Sequence, residues 1–251
     1  MGRIIRADHK PMPWEGYRLE EGSLSSRASG LWLFNEGAGG VARDSVGGNH
    51  VLLSANALHV PDGIQGTSTP TSPFSNPVTL TTPFSLVAGM RYAGSFYQAI
   101  AGNAGDNNAF LVSDNDSQRV GLRYTPGGSV YWGAFSTKIE SMAAAIATPT
   151  TLRFAFDGRM SDSQSVALAS AGPFTHMFYQ QTGNPFASLC RWFAIYPFAL
   201  TADEIAYLHA TPYADWVRDM PVFYSIPSTV STIFRRLNSM RSGSRGPMGG
   251  F

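Results

Sequence analysis

The chain has 251 residues, 43% hydrophobic and 12% aromatic, which suits one large globular domain with extensions, or at most two small domains, and excludes a disordered chain. Charged residues make up only 14%, against about 25% in ordinary soluble domains, so uncharged polar groups and partner protein must cover the surface, as in an assembly component. A net charge of +1 gives no global pull toward nucleic acid or membrane, and the single cysteine, Cys190, excludes an intrachain disulfide and a cysteine-rich metal site.

Residues 1–28 read as an arm of mixed charge without a period, with Trp14 and Tyr17 set among Pro11, Pro13 and Gly16. It has no apolar run of signal-peptide type, and Arg6 stands where a myristoylation signal wants Ser or Thr. The expectation is a protein made in a cytoplasm. No stretch approaches the roughly 20 apolar residues that span a bilayer.

From residue 30 to 200 the sequence breaks into short apolar segments separated by Gly, Pro, Asn and Asp. LWLFNEG reads as the first strand. The stretch from Pro61 to Pro77 holds four prolines and reads as a surface loop, since proline cannot donate to a central ladder. In RVGLRY, Val120, Leu122 and Tyr124 share one face, and SVYWGAF returns as the second strand of a hairpin. In TLRFAF, Leu152, Phe154 and Phe156 alternate with Thr151, Arg153 and Ala155, the period of a half-buried strand. SVALASAG and SLCRWFAIY read as further strands. Many short strands with such turns predict a sandwich or barrel. Thr201 to Glu204 spells a capping box, Leu200 and Ile205 suit a hydrophobic staple, and Pro212 limits the helix to about two and a half turns. A tail follows over 212–251, aromatic at first and then rich in Ser, Gly and Arg.

Three segments carry a family resemblance. They are Gly30 to Gly37 with the Asp44 to Asn49 loop, Thr82 to Leu86, and Ala194 to Ile205. Together they resemble the laminin-G-like jelly roll of the concanavalin A-like lectin and glucanase superfamily. The sequence departs at Gly89-Met90, where that family usually has a tryptophan. The resemblance implies an all-β, two-sheet antiparallel jelly-roll sandwich over residues 29–211, with one short C-terminal helix and extended arms. Trp32, Phe34, Leu152, Phe154, Phe156 and Ile195 are the expected core.

Glycanases of this superfamily display paired carboxylates at alternating positions of one strand, and a retaining pair must lie about 5.5 Å apart. That spacing does not occur here. None of the five histidines lies in a Gly-x-Ser-x-Gly context, and no HExxH or phosphate-cradling glycine loop appears. The expectation is a chain with no catalytic residues, no cofactor and no metal. Calcium is the one ion the resemblance suggests. Its candidate ligands are Asp44 with Asn49, and Asp106-Asn107-Asn108 with Asp114-Asn115-Asp116, for all of which exposed Asx turns are the favoured reading.

Two surfaces remain. Tyr97, Gln98, Asn103 and Asn107 combine an aromatic with amide donors, as a glycan contact would. Trp14, Tyr17, Trp216, Phe223, Tyr224, Arg235 and Arg236 lie outside the sandwich and read as partner-docking residues, because apolar groups beyond a finished jelly roll need cover. Arginines alone in the tail are a weak argument for nucleic acid. Laminin-G-like proteins also occur among the structural genes of tailed phages, and the chain resembles that group. The implied function is a virion component without enzymatic activity, present in multiple copies or as a homo-oligomer and contacting other virion proteins. The alternative is a carbohydrate-binding adhesion module.

Overall fold

The computed structural model describes residues 4–55, 57–66, 72–91, 98–103, 109–113, 119–124, 128–134, 141–179 and 188–219. Ile5–Arg218 forms one compact unit; the second, of Met1–Ile4 and Asp219–Phe251, is described only at Ile4 and Asp219.

The first unit is an antiparallel β-sandwich. One sheet orders its strands Arg159–Met160, Thr151–Phe156, Ser141–Ala147, Phe84–Arg91, Leu189–Tyr196, Gly63–Gly66 and Ala57–Val60, with Gly30–Trp32 and Gln164–Ser165 paired beside it. The facing sheet runs Gly128–Ala134, Arg119–Tyr124, Ala109–Ser113, Gln98–Gly102, Ser170–Tyr179, Ser72–Thr81, Val51–Leu52 and Val41–Ala42. Between them lies a core to which one sheet gives Phe84, Leu86, Leu152, Phe154, Phe193 and Ile195 and the other Phe110, Val120, Leu122 and Phe174. Trp32 stacks on Phe193 at 5.5 Å, and its indole N–H donates to the Asn49 carbonyl at 3.0 Å, so the buried ring has its polar atom satisfied. The all-β sandwich is thus the fold, and the expected core residues Trp32, Phe34, Leu152, Phe154 and Ile195 are buried, Phe34 from just beyond the end of its strand. Phe156 is only half-buried, because it ends its strand at the turn through Asp157 and Gly158.

The first sheet is covered on its outer face as well. Alternate residues of its strands, Val87, Met142, Ala144, Ile146, Trp192, Ala194 and Tyr196, form a second apolar cluster with the arm, the helix and the start of the tail. Ser141–Ala147 is buried at every position. It reads as a continuous apolar run, as strands covered on both faces do. The arm supplies Ala7, Tyr17, Leu19, Leu24 and Ala28, the helix Ala202–Ala210 supplies Ile205 and Leu208, and Tyr213 and Trp216 follow. Strand Trp216–Asp219 lies between Ile4–Arg6 and Arg18–Leu19 in a small third sheet. Residues 5–28 and 212–218 therefore belong to the same compact unit as the sandwich.

Two sequence expectations are corrected. Part of the Pro61 to Pro77 stretch is strand: Gly63–Gly66 and Ser72–Thr81. The prolines are tolerated because the ladder to Ser170–Tyr179 is irregular, with Val78 opposite Phe174 and Pro73 opposite His176, and Pro77 lies in the break. SVALASAG is not one strand. Gln164–Ser165 pairs in the first sheet and Ser170–Tyr179 in the second, so the chain crosses between sheets here and buries Leu168 on the way.

Candidate functional site

A cleft of about 850 Å³ opens between the arm, the Pro61-Asp62 turn, Arg191 and the segment that follows the helix. Its deepest cation is Lys10, 9% exposed. The Lys10 Nζ donates to the Phe34 carbonyl and to the Asp62 carbonyl, each at 2.9 Å. Phe34 turns this carbonyl inward from a left-handed conformation, φ 51°, which is costly for an aromatic residue and is held by full burial of its ring. Burial pushes the Lys10 pKa down to about 8. Arg191 stands in an otherwise apolar strand and reaches the Asp62 carboxylate at 3.8 Å. Neighbouring Cys190 is fully buried, which pushes its thiol up, away from reactivity.

The arm is fixed over the cleft by polar contacts. His9 lies between the carboxylates of Asp8, at 2.7 Å, and Glu15, at 3.0 Å, and the bond to Asp8 does most to raise its pKa. Arg6 donates to Glu20 at 2.6 Å and to the Ala214 carbonyl at 2.9 Å. The Asn35 amide donates to the Pro11 carbonyl. Behind the helix, Asp215 accepts from the Tyr207 hydroxyl at 2.6 Å and from the Ser25 backbone N–H at 2.7 Å, and so ties helix, tail and arm.

The expected docking residues divide. Tyr17 and Trp216 are half-buried against the sandwich. The Arg218 guanidinium sits 4.8 Å over the Tyr17 ring, and Trp216 pairs with Leu19. They cover this chain's own outer sheet face, which corrects their reading as free docking groups. Trp14, by contrast, is 72% exposed on the turn Pro13–Glu15. Phe223, Tyr224, Arg235 and Arg236 lie outside the described residues.

The glycan set is not assembled either. Gln98 is 0% exposed and accepts from the Ser188 N–H at 3.2 Å, which removes it as a contact. Asn103 is half-buried, and Tyr97 and Asn107 lie outside the described residues. The Asp44 carboxylate accepts backbone N–H groups of Leu31 at 2.9 Å, Val46 at 3.0 Å and Asn49 at 3.0 Å. It staples the loop to the first strand, the work of an Asx turn. The second calcium candidate, Asp106 to Asp116, lies outside the described residues except for Ala109–Ser113, and the described residues contain no group of three acidic, His or Cys side chains fit for a metal.

No family model and no curated protein sequence matches the chain. Solved structures do. A mutant of Trypanosoma rangeli sialidase displaying trans-sialidase activity matches with a TM-score of 0.57 at 13% identity, over 76% of this chain and 33% of that one. The same sialidase in complex with 2,3-difluorosialic acid gives 0.56 at 13%, over 76% and 34%. The receptor binding domain of botulinum neurotoxin mosaic serotype C/D gives 0.54 at 9%, over 75% and 51%. The chain thus spans about a third of the sialidase chains and half of the toxin domain, and at these identities the likeness is one of fold alone. It does correct the expectation of a chain outside enzymology. Sialidases are enzymes, and this sandwich occurs within their chains, so a missing glycanase carboxylate pair no longer separates the protein from enzymes.

The sequence reading missed the cleft. Its one usable signal was Arg191, a charge in a strand too apolar to face water on either side. Lys10 carried no such mark, because the arm around it has no period.

Proposed function

We propose that the chain is a structural component of a tailed-phage virion, a capsid-decoration, head-fibre or tail-associated protein. It displays the lectin-like sandwich and is held to other virion proteins, in multiple copies, by its terminal segments. The observation that carries this reading is the small third sheet. Arm and tail are knitted together on one outer face, so the chain enters the compact unit at Ile5 and leaves it at Arg218 on neighbouring strands. Attachment through both ends then anchors one side and leaves the rest of the sandwich displayed. Trp14, exposed on the arm, supplies an apolar contact on the anchored side. The laminin-G-like motifs and the low charge are in keeping with this role.

The experiment deletes residues 220–251, outside the sandwich unit, and separately replaces Trp14 with Ala. Both proteins should fold, and both should fall well below full occupancy on particles. Normal occupancy of both would sink the attachment model. A second reading, a carbohydrate-binding adhesion module, is favoured by the polar cleft and by the likeness to a toxin's receptor binding domain. Saturable binding on a glycan panel by the truncated chain would select it.

A further inference from the structure

We propose that the cleft beneath the arm is a binding site for an oxyanion group, a carboxylate or phosphate carried on a small polar molecule, with Lys10 and Arg191 as its cationic contacts. The inference does not depend on the attachment model.

Charge and depth carry the argument. The cleft wall includes two carboxylates, Asp8 and Asp62, and both belong to the rim. The Asp8 side chain is 93% exposed and bonded to His9, and the Asp62 side chain is 58% exposed, at 3.8 Å from Arg191. The rim cation Arg6 is already matched by Glu20 at 2.6 Å. Lys10 is different. Its two hydrogen bonds go to backbone carbonyls, which accept protons but carry no net charge to offset the ammonium. Among the described residues no carboxylate lies within ion-pairing distance of it. Asp62 and Glu36 act on it only from further off, and Arg191 opposes its charge. A buried cation without a counter-ion is costly, and a lysine has a third N–H to give. An anion entering the cleft meets this ammonium first and beside it the Arg191 guanidinium, which keeps its long 3.8 Å pair with Asp62 and is 23% exposed. Guanidinium and ammonium together match the oxygens of a carboxylate or phosphate. A volume of about 850 Å³ leaves room for a molecule of sugar size around the charged group.

The test is calorimetric or NMR titration of the full chain with inorganic phosphate, sodium acetate, sodium glucuronate and uncharged glucose. At least one of the anions should bind saturably at concentrations up to on the order of 10 mM, and glucose should not. Phosphate alone, or glucuronate and acetate alone, identifies which oxyanion the site takes. Lys10→Met should weaken that binding by about tenfold or more, and Arg191→Gln by a similar factor. Should Lys10→Met fail to fold, Arg191→Gln decides. Absence of saturable anion binding overturns the proposal, as does binding that both substitutions leave intact or glucose binding equal to that of glucuronate.

Discussion

Gly89 sits opposite Trp192 in the register of the two central strands, and a Cβ on Gly89 would collide with the indole of Trp192. Trp192 comes from the adjacent strand and lies over the bare glycine backbone. Gly89→Ala must therefore displace a nearly buried indole; the expected cost is about 1–3 kcal/mol, read by denaturant unfolding. Asp44 acts through three backbone donors. Asp44→Ala leaves those N–H groups without an acceptor and should cost about 2–4 kcal/mol, while the melting temperature of the native chain should not respond to calcium through this loop. A calcium-dependent rise that Asp44→Ala abolishes would contradict the staple assignment.

Among the elements, the capping box at Thr201 and Glu204 is present as the sequence spells it, and its staple partners Leu200 and Ile205 are buried. Helix signals are local, which is why they are legible. Thr151–Phe156 was legible from its period because Arg153 keeps its outer face partly wet. Ser141–Ala147 was not, because five of its seven residues are Ala or Met, which have weak strand preference, and burial on both faces erases alternation. The cover on that outer face was illegible for a different reason. Tyr17 and Trp216 look like surplus apolar groups until the sheet is known to have two buried faces. Asp215 is the polar hinge of this cover. Asp215→Ala strands the buried Ser25 N–H and releases the Tyr207 hydroxyl to water, and should cost about 2 kcal/mol. Tyr207, whose pKa is pushed up to about 12 by burial first and the Asp215 bond second, should then titrate lower, as ultraviolet absorbance would show.

At the scale of the molecule, Lys10 links stability to alkaline pH. Its folded-state pKa of about 8 lies below the ordinary 10.5, so between these values the unfolded chain holds the proton more tightly than the folded one. The cost of burying the charge is fully present below about pH 8 and is relieved as pH rises to 10.5. Relative to Lys10→Met, the native chain should gain on the order of 3 kcal/mol across that window, measured as the change in their stability difference. A difference that does not change with pH would show that Lys10 titrates normally.

The cover on the outer sheet face also sets an order of events. Ser25 meets Asp215 across 190 residues and Arg6 meets Ala214 across 208, so the arm is made well before its partner. Until the chain has grown past Trp216, Val87, Ile146, Trp192 and Tyr196 form an apolar surface without its full cover. The expectation is that this cover closes after the sandwich core has condensed. Asp215→Ala should accordingly leave the refolding rate almost unchanged and accelerate unfolding. Nascent or partly unfolded chains would meet one another through this bare face, making aggregation at raised concentration the characteristic failure of the fold.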